Sequence, residues 1–264
     1  MNLHLQGKRA LVTGSTAGIG FAIAAGLARE GVHVLVNGRT EGRVANARER
    51  IRDEVANASV EGVAADLGTA EGAGKLIWAC RDLDILVNNL GIYEPRVFEE
   101  IPDEDWLRLF EVNVMSGVRL SRHYLPRMKT KNWGRIVFIS SESGINIPAE
   151  MIHYGLTKTA QIALARGMAE TTVGTGVTVN SVLLGPTRSE GVATFVARVA
   201  REQGVTLEEM EKRFFETMRP SSLLKRFTMP DEVASLVVYL CSPVSSATNG
   251  AALRADGGVV RSLF

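Results

Sequence analysis

The sequence places a phenol and an ammonium group four residues apart, at Tyr154 and Lys158 within the stretch HYGLTK. In a helix, residues at this spacing lie one turn apart on the same face, so the lysine charge can stabilise a tyrosine phenolate. A free phenol, with a pKa of about 10, is poorly matched to proton transfer at neutral pH without such a charge. The pair therefore suggests acid–base chemistry, but it needs further polar groups to support that interpretation.

A glycine-rich turn near the start of the chain points to a bound dinucleotide. The predicted strand RALVT runs directly into TGSTAGIG, which contains Gly14, Gly18 and Gly20. We expect Gly14 to permit the tight turn, Gly18 to let the backbone approach a pyrophosphate and Gly20 to allow close helix–strand packing. The start of the following helix would offer free N–H groups to the anion. The spacing G-x-x-x-G-x-G differs from the commoner G-x-G-x-x-G, but the flanking elements are the required ones.

The end of the second predicted strand bears on which dinucleotide is bound. The stretch LVNGRT places Gly38 and Arg39 where NAD-binding folds usually have a carboxylate for the ribose 2′-hydroxyl. No carboxylate repels a 2′-phosphate at this position, and the Arg39 guanidinium can pair with one. NADP(H) is therefore favoured, with NAD(H) as the alternative. A solvated arginine at the start of a helix would explain Arg39 without a cofactor.

The elements that must position these residues alternate regularly along the chain. Short β-branched stretches followed by amphipathic ones predict an α/β fold with a Rossmann-type, doubly wound parallel sheet of about seven strands flanked by helices. The predicted strands are 9–13, 32–36, 60–65, 85–88, 135–140, 177–183 and 251–255, and the predicted helices are 18–30, 40–56, 69–80, 103–130, 151–173 and 230–241. No linker divides the chain, so residues 1–264 are expected to form a single domain.

The segment 187–229 interrupts this alternation, because it contains no predicted strand. Two helices are predicted there, at 189–203 and 206–218, and the second opens with the capping-box spacing of Thr206 and Glu209. Open α/β sheets bind ligands outside the carboxyl ends of their strands. We therefore expect this segment to form a helical lid over the substrate.

Taken together, the motifs resemble the short-chain dehydrogenase/reductase family, in its compact single-domain branch, over essentially the whole chain. The stretches that carry the resemblance are TGSTAGIG, AADL, NNLG, FEVNV, FISSESG, YGLTK, NSVLLGPTRS and ADGG, in the family's order. The resemblance implies four catalytic residues: Asn113, Ser141, Tyr154 and Lys158. With the glycine loop it implies a cofactor site made of Gly14, Ser15, Thr16, Gly18, Ile19, Gly20, Gly38, Arg39, Asp66, Leu67, Asn89, Leu90, Gly91, Tyr154, Lys158, Gly185, Thr187 and Ser189.

The function implied is the reversible, NADPH-dependent reduction of a small-molecule carbonyl compound to an alcohol, with no metal. Tyr154 would be the acid, and Lys158 would lower its pKa and bind the ribose. Ser141 would hydrogen-bond the substrate oxygen as charge develops there. By resemblance, Asn113 would support a water-linked proton relay to Lys158. Leu90, Leu184 and Ser189 replace the family's usual Ala, Pro and Thr.

Residues around the catalytic pair are predicted to pack or to line the substrate pocket. His153 does not share a helix face with Tyr154, so a pocket-lining or packing role is favoured over acid–base catalysis. Other neighbours could line the substrate pocket, namely Glu142, Asn146, Ile147 and Met151.

Two alternative functions are weighed against carbonyl reduction. A basic cluster at a predicted helix end, Arg127, Lys129, Lys131 and Arg135, is best explained as favourable charge near the helix C-terminus. It could instead dock acyl carrier protein, which would make the protein a 3-oxoacyl-[acyl-carrier-protein] reductase. Thr175 stands where that subgroup commonly has a second basic residue, so this partner is not favoured. A non-enzymatic NADPH-sensing regulator is the other alternative, and retention of all four catalytic positions argues against it.

The composition excludes other broad classes. A formal net charge of +1 provides no global field to attract nucleic acid or an anionic membrane. No apolar run is long enough to span a bilayer, and the N-terminus does not resemble a signal peptide. Cys80 and Cys241 are expected to be buried free thiols in a reducing cytoplasm. By resemblance, helices 103–130 and 151–173 would pair across two-fold axes into a homotetramer.

Overall fold

The computed structural model describes residues 2–263, the side chain at position 195 excepted, and contains one seven-stranded parallel sheet. The strands are β1 (Arg9–Val12), β2 (His33–Gly38), β3 (Val60–Ala64), β4 (Ile85–Asn88), β5 (Gly134–Ser141), β6 (Val177–Leu184) and β7 (Ala252–Ala255). Their order across the sheet is β3-β2-β1-β4-β5-β6-β7, and every neighbouring pair is parallel. The predicted Rossmann-type sheet is confirmed, with small shifts at the strand ends.

The described helices follow the predicted pattern with one interruption. They are α1 (Gly18–Arg29), α2 (Glu41–Glu54), α3 (Ala70–Ala79), α4 (Asp103–Phe110), α5 (Ser116–Thr130), α6 (Ile152–Glu170), α7 (Glu190–Glu202), α8 (Leu207–Thr217) and α9 (Pro230–Leu240). The prediction of one α-helix over 103–130 is wrong in the middle, where the π-helical turn Glu111–Met115 joins α4 to α5. Such turns occur often at functional sites, and this one contains Asn113.

Apolar side chains cover both faces of the sheet, which explains the near-continuous hydrophobicity of its strands. Every residue of β4, β5 and β6 is buried. Along β1, Val12 packs into the core beneath α1 and α9, whereas Leu11 packs into the core beneath α3, α5 and α6. This alternation is the two-residue period of a strand covered by helices on both sides.

The strand order places the switch point of the sheet between β1 and β4. The chain builds outward from β1 to β3 and then returns to the other side of β1. In such sheets the connections diverge above the carboxyl ends of the two central strands and leave a crevice there. Both the glycine-rich turn and the NNLG stretch leave the sheet at this point.

The two lid helices are confirmed at α7 and α8. Thr206 and Glu209 form the predicted capping box, with hydrogen bonds of 3.1 and 3.0 Å. The rings of Phe214, Phe215 and Phe227 contact one another at centroid distances of 5.1 to 5.2 Å. Part of the apolar surface of the lid therefore packs within the lid itself.

Two further sequence-based expectations concern the thiols and the membrane. Cys80 and Cys241 are both free and buried. Among the described residues, no helix combines the length and the apolar character needed to cross a bilayer.

Candidate active site

The NNLG stretch is fastened to the end of β1 by hydrogen bonds. The Asn89 side-chain amide donates to the backbone oxygens of Thr13 and Gly14 at 2.9 and 3.1 Å. In return, the Thr13 hydroxyl accepts the backbone N–H groups of Asn89 and Leu90, both at 2.9 Å. These contacts hold the two loops as one unit at the switch point. The sequence analysis did not identify Thr13.

A second brace comes from Asn37, a polar residue inside the otherwise apolar strand β2. Its side-chain oxygen accepts the Gly14 N–H at 3.2 Å, and its backbone N–H donates to the Ser15 hydroxyl at 2.9 Å. Ser15 is fully buried and also donates to the Val12 carbonyl at 2.7 Å. Its hydroxyl therefore supports the loop from within and is already engaged by these two contacts. In the sequence, Asn37 could have been recognised as the polar residue that interrupts the apolar stretch LVNG.

The glycine-rich turn has the geometry expected of an anion-binding loop. Gly14 and Gly18 adopt φ angles of 60° and 56°, in the left-handed region that favours glycine. A Cβ atom at Gly20 would lie 2.5 Å from the Gly14 carbonyl oxygen, so only glycine fits between helix and loop. Helix α1 has no side-chain cap and no acidic residue in its first turn. Its N-terminal N–H groups can therefore bind a phosphate.

A cleft of about 250 Å³ lies between the glycine loop, the NNLG stretch and the start of the lid. Its lining combines predicted and unpredicted residues: Ala17, Gly18, Ile19, Gly20, Asn89, Gly91, Ser189, Glu190 and Gly191. The Glu190 carboxylate, which was not predicted, lies 3.7 Å from the Arg50 guanidinium. A glycine-lined cleft at an uncapped helix N-terminus fits the pyrophosphate of a dinucleotide. A nicotinamide dinucleotide bound there would supply or accept a hydride.

The residues predicted at the adenosine end of the cofactor, Gly38 and Arg39 near the ribose and Asp66 and Leu67 near the adenine ring, lie at the ends of β2 and β3. A Cβ atom at Gly38 would lie 2.5 Å from the Thr16 methyl carbon, so a larger residue would require Thr16 to move. Arg39 is exposed, and no carboxylate in the described part of the chain forms an ion pair with it. Asp66 is also exposed, whereas Leu67 is buried in the core. Leu67 can therefore offer only its backbone to a cofactor.

Lys158 lies beneath the Tyr154 ring, with its Nζ atom 5.6 Å from the ring centroid. The ammonium donates to the Ile139 carbonyl at 2.9 Å and to the Gln161 side-chain oxygen at 3.1 Å. Burial lowers the pKa of Lys158 to about 7. The residue therefore exchanges its proton in the neutral range.

Burial raises the pKa of the Tyr154 phenol above its usual value. The nearby Glu142 carboxylate raises it further, whereas the Ser141 hydroxyl lowers it. The Tyr93 ring stands edge-on at a centroid distance of 6.1 Å and forms one wall of the site. The protein groups alone thus keep the phenol protonated at neutral pH, in contrast to the predicted lowering by Lys158. In this state Tyr154 can donate a proton.

Ser141, at the end of β5, is bound to a buried carboxylate. Its hydroxyl donates to the Glu142 side chain at 2.5 Å, and the same carboxylate oxygen accepts the Ser143 backbone N–H at 2.7 Å. The second oxygen accepts Nε of Arg219, at the end of the lid, at 2.8 Å. Glu142 was predicted to line the pocket, but the structure shows it holding Ser141. To bind a substrate oxygen as a donor, Ser141 must turn its proton away from Glu142.

Asn113 is connected to Lys158 through a residue that the sequence analysis missed. Its side chain exchanges two hydrogen bonds with the Ile92 backbone, at 2.8 and 2.9 Å, and donates to Thr157 at 3.0 Å. Its backbone carbonyl, in the π-helical turn, accepts the Gln161 amide at 2.6 Å. Gln161 in turn accepts from Lys158. The helical spacing from Lys158 to Gln161 was the only sequence signal for this link.

The NSVLLGPTRS stretch, which contains the last residues of the predicted cofactor site, is partly committed to internal contacts. The Thr187 hydroxyl donates to the Gly185 carbonyl at 2.9 Å and lies 2.9 Å from the Thr228 hydroxyl. It is buried, so its backbone rather than its hydroxyl remains for a ligand. Ser189 caps α7, and its Cβ atom lies at 3.3 Å from the position of a Cβ placed on Gly18. The lid therefore begins directly against the glycine loop.

His153 packs in the interior, and its ring has no hydrogen bond to the described residues around Tyr154. It is buried, and its ring meets the Trp106 ring edge-on at a centroid distance of 5.7 Å. Neither ring nitrogen has a hydrogen-bond partner among the described residues. Burial accordingly lowers the pKa of His153 and favours the neutral ring.

The predicted basic cluster is smaller in the structure than in the sequence. Arg135 is 2% exposed, and its guanidinium donates to three backbone carbonyl oxygens. Its inclusion in a surface cluster was therefore wrong. Arg127 and Lys131 lie 3.9 and 3.8 Å from the Asp82 carboxylate, which partly neutralises them.

Comparisons with known proteins agree with this geometry. A family model described as short chain dehydrogenase matches residues 8–199. The chain is 51% identical over 264 residues to the uncharacterized oxidoreductase YvaG of Bacillus subtilis (strain 168), covering 100% of both chains. It is 34% identical over 260 residues to D-beta-hydroxybutyrate dehydrogenase of Cupriavidus necator, covering 97% of this chain and 99% of that one. The structure of L-sorbose reductase from Gluconobacter frateurii, complexed with NADPH and L-sorbose, superposes with a TM-score of 0.94 at 29% identity and 100% coverage of both chains.

Proposed function

The chain belongs to the short chain dehydrogenase family, and on this premise we propose that it is an NADPH-dependent oxidoreductase that reversibly reduces a carbonyl compound to an alcohol. The observation that carries the proposal is the meeting of Tyr154, Lys158 and Ser141 beside the glycine-lined cleft. Ser141 lies at the end of β5, and Tyr154 and Lys158 lie on α6, which packs against β5.

Each residue has a role in moving or holding a proton. The phenol of Tyr154 donates its proton to the carbonyl oxygen, and Ser141 donates a hydrogen bond to that oxygen as negative charge develops. Lys158 stabilises the resulting phenolate when it is charged and can donate to the cofactor ribose. Asn113 holds Gln161, which accepts from Lys158 and so connects the ammonium to the π-helical turn.

The test of this function is cofactor consumption followed by absorbance, with NADPH and NADH in parallel, against a panel of carbonyl compounds. The panel spans hydroxyketones, diketones, cyclic ketones, aldehydes and thioesters. We expect turnover of at least one class, faster with NADPH. Tight NADPH binding with no turnover across the panel would instead support a non-enzymatic regulator.

The preference for NADP(H) rests on Arg39 and on the missing carboxylate at Gly38. Arg39 is exposed at the carboxyl end of β2 and forms no ion pair among the described residues. Its guanidinium is therefore available to pair with a 2′-phosphate. The L-sorbose reductase that superposes on this chain was crystallised with NADPH, which supports the same choice.

Substitution of Arg39→Gln tests this preference. We expect kcat/KM for NADPH to fall about 10-fold or more, with a change of less than about 2-fold for NADH, because only NADPH carries the paired phosphate. Initial rates at varied cofactor concentration measure both values. Arg81→Gln is the matched control, since residue 81 precedes β4 and lies at the opposite, amino-terminal edge of the sheet. Equal losses with both cofactors would contradict the role of Arg39.

A small-molecule substrate is favoured over one carried by acyl carrier protein. With Arg135 buried, the basic cluster offers a carrier protein fewer exposed cations than the sequence indicated. The relatives do not settle the charge of the substrate, because hydroxybutyrate carries a carboxylate and sorbose is neutral. That question requires the residues around Ser141.

We further propose a homotetramer. Leu107 on α4 and Leu156 on α6 are 70% and 46% exposed, and they lie on the elements predicted to pair between subunits. Covering such side chains is a common reason for symmetric association. Light scattering is expected to give four times the chain mass of 28.6 kDa at working concentration. A monomeric mass would contradict the proposal.

We place the enzyme in the cytoplasm, without nucleic-acid or membrane partners. Free, buried thiols at Cys80 and Cys241 suit a reducing compartment. A net charge of +1 offers no general attraction to polyanions.

A further inference from the structure

Three charged side chains meet beside Ser141 and are not needed for the proton transfer described above. Glu142 follows β5, Glu150 lies in the short 3₁₀ helix Ala149–Met151, and Arg219 follows α8. Arg219 donates to Glu142 at 2.8 Å and to Glu150 at 3.2 Å. The Glu142 and Arg219 side chains are 5% and 13% exposed, so this cluster is largely shielded from water.

The cluster has an excess of negative charge. Two carboxylates share one guanidinium, and Glu142, the more deeply buried carboxylate, is the one that accepts the Ser141 hydroxyl. The Lys158 ammonium donates to the Ile139 carbonyl and to Gln161, not to these carboxylates. Arg96 and Arg108 are both paired with Glu94 and Asp105.

A substrate carboxylate would have to enter this negative environment. The substrate oxygen must come within hydrogen-bond distance of Ser141, whose hydroxyl is itself 2.5 Å from Glu142. A carboxylate one or two carbons from the carbonyl would then lie within about 8 Å of Glu142, where like charges repel strongly in a poorly hydrated site. Arg219 already carries two carboxylates, so a substrate carboxylate would have to share its single positive charge with both.

We propose that Glu142, held by Arg219, makes the site select uncharged carbonyl compounds, hydroxyketones among them, and reject those that carry a carboxylate near the carbonyl. This inference rests on the carbonyl reduction proposed above and specifies its substrate class. Glu142 acts here through charge, and Arg219 sets how much of that charge the substrate experiences. A repulsive element of this kind is a common means of specificity.

The wild-type protein provides the first test, with two matched pairs of substrates. Hydroxyacetone is compared with pyruvate, and 4-hydroxybutan-2-one with acetoacetate, because each pair differs only by a hydroxymethyl group in place of a carboxylate. NADPH consumption gives kcat/KM for each compound. We expect the neutral member of each pair to be favoured by about 30-fold or more.

Two variants should move this ratio in opposite directions. Glu142→Gln retains the shape of the side chain and removes its charge. We therefore expect the ratio of kcat/KM for the neutral member to that for the carboxylate member of each pair to fall about 10-fold. Arg219→Gln removes the neutralising cation, so the same ratio should rise further in favour of the neutral compound. Glu150→Gln is the matched control, because it removes the same charge at a side chain that is 35% exposed and does not touch Ser141. Its effect should be smaller than that of Glu142→Gln.

The outcomes separate this inference from the proposed function. Efficient reduction of both members of each pair by the wild type would overturn the inference and leave the reductase function standing. A ratio that changes in the same direction in Glu142→Gln and Arg219→Gln would also overturn it. If neither these four compounds nor any compound of the wider panel is turned over, both proposals are overturned. If one variant does not fold, as circular dichroism would show, the wild-type comparison still decides.

Discussion

Tyr154→Phe should lower kcat/KM for every accepted carbonyl compound by about 10³-fold while leaving NADPH affinity within about 2-fold of wild type. The substitution removes only the hydroxyl that donates the proton, and the ring that packs edge-on against Tyr93 remains. Initial rates give the first quantity, and fluorescence titration of the cofactor gives the second.

The size of this effect follows from the lack of a substitute donor among the neighbouring side chains. The Ser141 hydroxyl donates to Glu142, and the Lys158 ammonium is engaged with a backbone carbonyl and Gln161. His153 is buried against Trp106 and favours the neutral ring. None of these groups is placed to deliver a proton to the substrate oxygen in place of the phenol.

Tyr93→Phe is the matched control, because it removes a hydroxyl from the neighbouring ring at 6.1 Å. We expect a loss of less than about 3-fold, since Tyr93 forms a wall and transfers no proton. Near wild-type activity in Tyr154→Phe, or equal losses in the two variants, would contradict the assignment of Tyr154 as the acid.

Lys158→Met should lower kcat/KM by about 10²-fold and at the same time change how the stability of the cofactor-free protein depends on pH. Burial lowers the pKa of Lys158 from 10.5 to about 7. Between these values the unfolded chain binds a proton that the folded chain does not. The wild type therefore gains stability as pH rises through this window, and the full cost of burying the ammonium is present below it.

The methionine variant lacks this titration. Its stability relative to the wild type should be greatest near about pH 7 and decrease toward about pH 9, by at most about 1.4 kcal/mol per pH unit. Loss of the hydrogen bonds to Ile139 and Gln161 shifts the difference by a constant but does not alter this slope. Urea unfolding of both proteins, without cofactor and at one protein concentration, measures the free energy of unfolding.

Lys75→Met, at an exposed position on α3, is the control for this experiment. Its stability difference from the wild type should not vary across the same pH range, because the exposed Lys75 side chain stays in water in both the folded and the unfolded chain. If the difference for Lys158→Met is equally independent of pH, the lowered pKa of Lys158 is refuted.

Local patterns predicted most of the fold because they depend on residues close together in the chain. Continuous apolar stretches such as RIVFIS became β5, covered on both faces, and the alternation with amphipathic stretches predicted a parallel sheet. The single helix predicted over 103–130 was wrong because hydrophobic periodicity barely distinguishes a π-helical turn from α-helix.

Individual site residues were harder to predict because burial and partners depend on the whole fold. Ser15 and Thr187 occur in motifs typical of a cofactor site, but their hydroxyls bond within the protein. Arg135 is buried, although its sequence neighbours suggested an exposed cluster. In each case, packing against distant elements decided whether the side chain faces the cleft.

The sequence by itself determined the glycine loop, the spacing of Tyr154 and Lys158 along one helix, and the alternation that builds the sheet, because each is written in a short stretch of chain. Only the tertiary structure joined Glu142 to Arg219, which are 77 positions apart, and Gln161 to Asn113, which are 48 apart. No local pattern records such pairs, since they form only when the lid and the π-helical turn pack against β5 and α6. Burial produced by the same packing lowers the pKa of Lys158 and raises that of Tyr154.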